Sequence, residues 1–437
     1  MKNVIGISRE SADATEKRAP LTPEQTAQLR REHDIQVVIQ PSGSRIFADE
    51  DYAAAGAIVS DDLTGCNILF GVNHVLLERI KPGAVYCFFS HTVKAQRYNL
   101  PVLRNLVDAR CTLLDYELVT DSAGGRIVYF GDYAGYAGLV DGLWALGKRL
   151  EYEKVDNPFS ALRQAFAYQS LEEARKALGA VGHRIREEGL PDAVAPLTCA
   201  FTGTGHVKEA ARELFDLLPS VSLRPDDLPT LASSGSYSSK AVYGVDFNKR
   251  DLFEPLAPDA PFSADEFDAR PAMYRSRLHG YLPNLTLVVN GVYWSPRYPR
   301  LVTRDHVREL FAGIDRRRLK VIADISCDIE GSIEVTVRHT TSENPVYVFE
   351  PATGNTPDGF SGEGLVVLAV PTLAAELPRE SSESFGAALM PFIPALARTD
   401  FSVPIEQLDA PEPFRKAVIV HGGRLTDNFR YLNEYLL

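Results

Sequence analysis

The sequence predicts an α/β protein made of two doubly wound domains with an interdomain cleft, and three observations carry that prediction. Short apolar runs alternate with helix-like stretches over residues 4–114, the pattern of a parallel sheet wrapped by helices. A second alternation of the same kind starts at Leu197. Between them, Leu139, Leu143, Leu146 and Leu150 recur at helical spacing, so 133–150 reads as a long helix leading out of the first unit.

In the first alternation, Val4-Ile7, Val37-Ile39, Ile68-Gly71, Val85-Phe89 and Thr112-Leu114 read as strands, with helices over Thr22-Arg31 and Val102-Ala109. In the second, Leu197-Thr202 is a fully apolar strand, Val207-Leu218 a helix, and Leu285-Val289, Lys320-Ala323 and Leu365-Val370 are further buried strands. Ser233-Ser239 and Asp251-Asp268 have the Ser, Gly, Pro and Asp content of surface connections. A last helical run, Pro378-Ala397, starts with a proline suited to a first turn. The domains are therefore expected at 1–133 with 377–437, and at 134–376.

With 45% apolar and 24% charged positions in 437 residues, the chain has the make-up of a packed globular protein. Its net charge of -12 argues against nucleic acid as a partner, since phosphate binding needs clustered Lys and Arg. Five scattered cysteines, never spaced as CxxC, fit reduced thiols and no zinc site, and make the cytoplasm the expected location. No stretch approaches the roughly 18 apolar residues of a membrane span, and no export signal is read at the start.

The strand Leu197-Thr202 runs into Gly203-Thr204-Gly205-His206-Val207 and then a helix. Strand, glycine turn and helix start come in the order a dinucleotide pyrophosphate needs, because glycine permits the turn and the helix end attracts the anion. Lys208 stands where a third glycine is usual; the small Ala210 and Ala211 are the substitutes for close packing. The next strand should be Val221-Leu223, ending at Arg224, where NAD-selective proteins commonly carry an acid. A guanidinium there leans toward NADP, with NAD open, unless Arg224 is a plain surface residue.

Candidate chemistry lies at strand ends. His91 follows an apolar strand, at the sheet edge where such folds place ligands, although a lone histidine is often structural. Asp324 and Asp328 frame another strand end and would hold a ribose, an amine or a proton, or cap a turn. Glu117 has the same ambiguity. Glu16, Lys17 and Arg18 precede a helix capped by Thr22, a loop able to offer an Arg to a carboxylate.

Together, Lys17-Arg-Ala-Pro-Leu-Thr-Pro23, Phe88-Phe-Ser-His-Thr-Val-Lys-Ala-Gln96, Leu114-Asp-Tyr-Glu117, Phe201-Thr-Gly-Thr-Gly205, Val289-Asn-Gly-Val-Tyr-Trp294, Tyr298-Pro-Arg-Leu301 and Ile322-Ala-Asp-Ile-Ser-Cys-Asp328 resemble the lysine-ketoglutarate reductase branch of the saccharopine and alanine dehydrogenase family. The motifs keep one order along nearly the whole chain. The resemblance implies two Rossmann-like domains and an NAD(P)H-dependent reduction of the imine between L-lysine and 2-oxoglutarate, giving saccharopine. It implies His91 as the proton-transferring group, Asp328 beside the nicotinamide, and Arg18, Glu16, Lys94 and Glu117 facing substrate. Gly203, Thr204, Gly205, His206, Val207, Arg224, Asn290, Gly291 and Asp324 would meet the cofactor, and no metal is implied.

One departure stands out: similar proteins carry a lysine at position 73, within a G-V-K pattern, where this chain reads Gly71-Val72-Asn73-His74. Asn73 donates a hydrogen bond but carries neither the proton nor the charge. Ala165-Phe-Ala-Tyr-Gln169 and Val245-Asp-Phe-Asn-Lys-Arg250 also lack family residues. A redirected amine or oxo-acid pair, a catalytically silent dinucleotide-binding homologue and an alanine dehydrogenase-like oxidoreductase are the readings left open. Small amino-acid and oxo-acid substrates are the expected partners, without nucleic acid or membrane. A homo-oligomer is also expected, its subunit count left open.

Overall fold

The computed structural model describes residues 3–10, 16–73, 79–93, 95, 99–312 and 318–436. The chain folds into two units, one of Met1–Phe130 with Pro378–Leu437 and another of Gly131–Leu377.

The first unit opens with β1 (Val4–Ile7), α1 (Pro23–His33), β2 (Gln36–Ile39), α2 (Asp49–Ala54), β3 (Ile58–Val59), β4 (Ile68–Phe70), β5 (Val85–Phe88), α3 (Leu100–Asp108) and β6 (Thr112–Asp115). Helix α1 starts as its sequence dictates: Thr22 Oγ accepts from the Gln25 N–H, the Gln25 side chain accepts from the Thr22 N–H at 2.9 Å, and Pro23 takes the first turn. Strands β4, β5 and β6 are buried along their whole length, which is why they read as unbroken apolar runs and not as alternations.

The second unit holds α4 (Gly131–Tyr152), α5 (Leu171–Glu188), β7 (Leu197–Thr202), α6 (His206–Phe215), β8 (Ser220–Leu223), α7 (Leu228–Ser234), β9 (Val242–Phe247), α8 (Lys249–Leu252), β10 (Phe253–Pro255), α9 (Ala264–Ala269), β11 (Tyr274–Ser276), β12 (Leu287–Asn290), α10 (Arg304–Ala312), β13 (Val321–Asp324), β14 (Val346–Phe349) and β15 (Leu365–Leu368). The chain then returns to the first unit as α11 (Pro378–Leu389), α12 (Ile393–Leu396), β16 (Val418–His421) and β17 (Arg424–Leu425). The single helix expected over Pro378-Ala397 is two. Pro391 lacks the N–H that would continue α11, and the chain restarts at Ile393.

Among the described residues, the first unit's sheet has the order β17-β16-β6-β5-β4-β1-β2-β3, parallel from β6 to β3, with the last two strands antiparallel. Phe385, Leu389 and Leu396 of the returning chain pack into its core beside Ile5, Phe88 and Leu113. The second sheet has the order β14-β15-β13-β12-β7-β9-β8, with only β14 antiparallel. Both sheets are wrapped by helices, the α/β architecture the alternation implied.

The strand after the glycine-turn helix, β8, does not lie beside β7: β9 pairs with both β7 and β8 and separates them. The cause is legible in burial, since Val242 to Val245 of β9 are all buried while β8 is half-exposed, with Val221 open to solvent. The more apolar strand takes the inner position.

Candidate functional site

In the first unit, four neighbouring parallel strands, β1, β4, β5 and β6, end on one edge of the sheet. Glu10, Asn73, His91 and Glu117 follow these four ends, where open α/β sheets hold ligands. The fold thus collects on one edge groups that are 107 positions apart in sequence between Glu10 and Glu117.

Asn73 is tied on both sides. Its N–H donates to Glu10 Oε2 at 3.0 Å and its side-chain amide to Glu16 Oε2 at 2.6 Å. Glu16 in turn accepts from Arg18 Nε at 2.8 Å and Nη2 at 2.5 Å, and the Arg18 guanidinium lies 4.1 Å over the Phe130 ring. Both members of this pair are buried, the setting in which loss of one partner is most damaging. Glu10 was not singled out in the sequence. It also accepts from the Val72 N–H at 2.6 Å, and burial, then the charge of Glu16, pushes its carboxyl up to about 8. Its signal was its place just after β1, on the same edge as the other candidates.

His91 has a left-handed backbone, φ 53°, which re-aims the chain directly after the strand. Its backbone carbonyl accepts from Asn99 at 3.0 Å, and its ring Nδ1 lies 3.2 Å from Glu117 Oε1. The imidazole is about half exposed, at 45%. Behind it, buried Asp115 accepts from the Ser90 N–H at 3.1 Å and the Glu117 N–H at 2.8 Å, so one carboxylate fixes the backbone that carries both partners. Burial, followed by the Glu117 charge, raises Asp115 to about 6. Lys94 and His74, also named from the sequence, lie outside the described residues.

In the second unit, Gly203 closes β7 with φ 105°, and a Cβ there would meet the Gly291 carbonyl oxygen at 2.7 Å. Only glycine fits both the turn and the approach. Thr204, Gly205 and His206 are exposed, α6 begins at His206 with Gly205 at its N-cap, which has no side chain to cap it, and the His206 ring lies 3.2 Å from Asp132. The close packing expected of a third glycine comes from another helix: a Cβ on Gly135 of α4 would sit 2.2 Å from the Val207 carbonyl oxygen. Nothing in the local glycine pattern pointed to Gly135.

Three residues assigned to the cofactor have side chains engaged with protein partners. Asn290 and Asp324 are buried, and their side chains bond within the sheet: Thr202 Oγ donates to Asn290 Oδ1 at 2.7 Å, Asn290 Nδ2 to Asp324 Oδ1 at 2.7 Å, and Thr336 Oγ to Asp324 Oδ2 at 2.6 Å. They tie the ends of β7, β12 and β13, leaving the backbone of Gly291 to face the turn. Burial raises the Asp324 carboxyl to about 6 against these bonds. Arg224 follows the outermost strand, is 79% exposed, and is held by Asp227 through two contacts of 2.9 Å. The end of the strand beside β7 is instead Asp246-Phe247, and Asp246 lies 3.5 Å from both Lys208 and Arg212 of α6. Asp328 is half-buried in the tight turn after β13, where Gly331 N–H donates to its carbonyl at 2.9 Å.

Two wound units, one with an edge of acid, imidazole and amide groups and one with an open glycine turn, define a two-domain Rossmann-like protein of the dinucleotide-binding class. Residues 6–137 match the model of the alanine dehydrogenase/PNT N-terminal domain, and 273–428 that of the C-terminal domain. The chain belongs to the alanine dehydrogenase/PNT family.

It is 36% identical to the alpha-aminoadipic semialdehyde synthase of Arabidopsis thaliana over 98% of this chain and 41% of that protein. Identity to the mitochondrial alpha-aminoadipic semialdehyde synthase of Rattus norvegicus is 32%, over 99% and 48%. The chain thus spans about half the length of these relatives or less. A saccharopine dehydrogenase [NAD(+), L-lysine-forming] of Emericella nidulans is 26% identical over 89% of this chain and 91% of its own length. A solved L-alanine dehydrogenase shares the fold, with a TM-score of 0.63 at 19% identity over 99% of this chain and all of that one.

These names overturn the cytoplasmic expectation: the rat, mouse and cattle relatives are mitochondrial by name. No described helix is long and apolar enough to cross a membrane.

Proposed function

We propose that this chain is a nicotinamide-dependent oxidoreductase of the imine between an amino acid and an oxo acid, with L-lysine and 2-oxoglutarate as the reference pair and a saccharopine-like secondary amine as product. The observation that carries this reading is the edge formed by β1, β4, β5 and β6, where a guanidinium, a half-exposed imidazole and their carboxylate partners converge. Relatives named for saccharopine chemistry support the choice of substrates.

The positive-φ Gly203 and the uncapped α6 start fit a pyrophosphate, so Gly203, Thr204, Gly205, His206 and Val207 would hold the cofactor, with Gly291 behind the turn. The bound nicotinamide supplies or accepts the hydride. Arg18, anchored by Glu16 through Nε and Nη2, would meet a substrate carboxylate with its remaining Nη1 side. Glu117 engages His91 at Nδ1, so Nε2 is the nitrogen that would exchange a proton with the substrate amine. Asp328, by its family position, would stand beside the nicotinamide. The sheet order moves cofactor choice from Arg224 to the end of β9, and a carboxylate at Asp246 favours ribose hydroxyls over a 2′-phosphate. NAD is therefore the preferred form in this proposal, displacing the lean toward NADP.

A second reading, a dinucleotide-binding homologue without turnover, is favoured by Asn73, whose amide bonds Glu16 without carrying a proton. Purified protein with lysine, 2-oxoglutarate and NADH or NADPH separates the two. Cofactor oxidation with a product whose mass joins both carbon skeletons supports the first reading. Cofactor binding with no turnover over a broad panel of amines and oxo acids removes it.

A further inference from the structure

Two acids that the proposed chemistry does not use lie inside the second unit. Asp141 of α4 is 0% exposed, and Glu376, which ends the 3₁₀ turn Leu373–Glu376, is 3% exposed. Both stand on segments by which the chain enters and leaves this unit. Helix α4 starts at Gly131, the unit's first residue, and Glu376 is one residue before Leu377, its last. Carboxyls are almost never buried to this degree without a cation, yet among the described residues neither has an ion-pair partner.

The groups facing the two acids are neutral or negative. The Ala165 N–H donates to Asp141 Oδ1 at 2.6 Å, and the Ser342 hydroxyl to Glu376 Oε1 at 2.6 Å. The Phe166 backbone adds a hydrogen bond to Glu376, and Glu343 brings a further negative charge. Asp141 Oδ2 and Glu376 Oε2 are buried and accept from no donor group of the protein.

The two side chains also hydrogen-bond to each other. A carboxylate only accepts, so one of them must carry a proton. Burial, then the charge of Glu376, holds Asp141 well above the usual carboxylate range. Burial raises Glu376 too, while the Ser342 hydroxyl and the bond from Asp141 pull it back. Asp141 is therefore the donor and Glu376 the acceptor.

We infer that Asp141 and Glu376 share one proton and form an alkali-sensitive latch, which ties α4 to the segment leading out of the unit and holds the turn Ala165–Ala167 against both. Two negative charges in one buried site repel strongly, so losing the last proton drives the carboxyls apart. Folding raises both acids. Their contribution to stability is thus complete below the ordinary carboxylate range and is lost as pH rises through the higher folded values.

Hydrogen exchange of the full chain, followed by mass spectrometry from neutral to alkaline pH and corrected for its intrinsic pH dependence, tests the latch. Peptides covering 165–167 and 373–376 should exchange about tenfold faster or more at the alkaline end, while those of β12 in the same unit keep their protection. In Asp141→Asn the amide donates to Glu376 without titrating, so protection at 373–376 should stay constant across the range. Infrared spectra at neutral pH should show one protonated-carboxyl component fewer in that variant. Circular dichroism checks folding, and Glu376→Gln, which donates in the opposite direction, serves if Asp141→Asn does not fold. Exchange at 165–167 and 373–376 that ignores pH in the wild type, an equal loss in a folded variant, or an unchanged infrared band overturns the latch. So does a loss of protection that reaches β12 at the same pH.

Discussion

Asn73 donates its side-chain amide to Glu16 at 2.6 Å, while Glu16 holds Arg18 through both of its oxygens. The cluster therefore contains two carboxylates, Glu10 and Glu16, around one guanidinium and one neutral amide. A cation at position 73 would face Glu16; the amide satisfies a hydrogen bond there and supplies neither charge nor transferable proton.

Asn73→Lys should restore that cation and a transferable proton. If the scaffold is otherwise intact, turnover of lysine with 2-oxoglutarate rises on the order of 10²-fold, the usual size of a general acid or base contribution. Steady-state rates with product mass analysis check it. Unchanged rates in a folded variant would show that the lysine was not the missing part.

Glu10 makes stability depend on pH in a defined direction. Its carboxyl is raised from 4.5 to about 8, burial being the larger cause. An unfolded chain gives up this proton near the lower value and the folded chain near the higher. The contribution is therefore fully present below about 4.5 and declines as pH rises toward about 8, by a few kcal/mol at most, on the order expected for such a shift. Glu10→Gln should flatten this part of the profile in urea unfolding measured across that range. An identical slope in the variant would contradict the assignment.

Gly203→Ala places a methyl where the Gly291 carbonyl lies 2.7 Å away, on a backbone at φ 105°. Strain of about 1–3 kcal/mol is expected, distributed between folding and the shape of the turn. NADH fluorescence titration should show affinity reduced about tenfold or more. Wild-type affinity would remove this turn as the cofactor site.

Cofactor choice separates two positions. Asp246→Ser should shift the NADP-to-NAD preference upward by about tenfold, while Arg224→Ala leaves it unchanged, since Arg224 follows the outer strand and pairs with Asp227. Competition of the two dinucleotides for each variant checks this. The opposite outcome would return the ribose position to Arg224.

The sequence alone determined the wound α/β class and the glycine turn after β7, and it singled out His91, Glu117, Arg18 and Asn73 as candidates, because apolar period, turn chemistry and strand-end position are local properties of the chain. It could not decide which strand lies beside β7, since sheet order depends on competition for burial between β8 and β9. Nor did it show that Asn290 and Asp324 face inward, that Gly135 supplies the close helix contact, or that Glu10 stands under Asn73. Those are pairings between distant segments, and only the packed structure, where buried polar groups must find partners, fixes them.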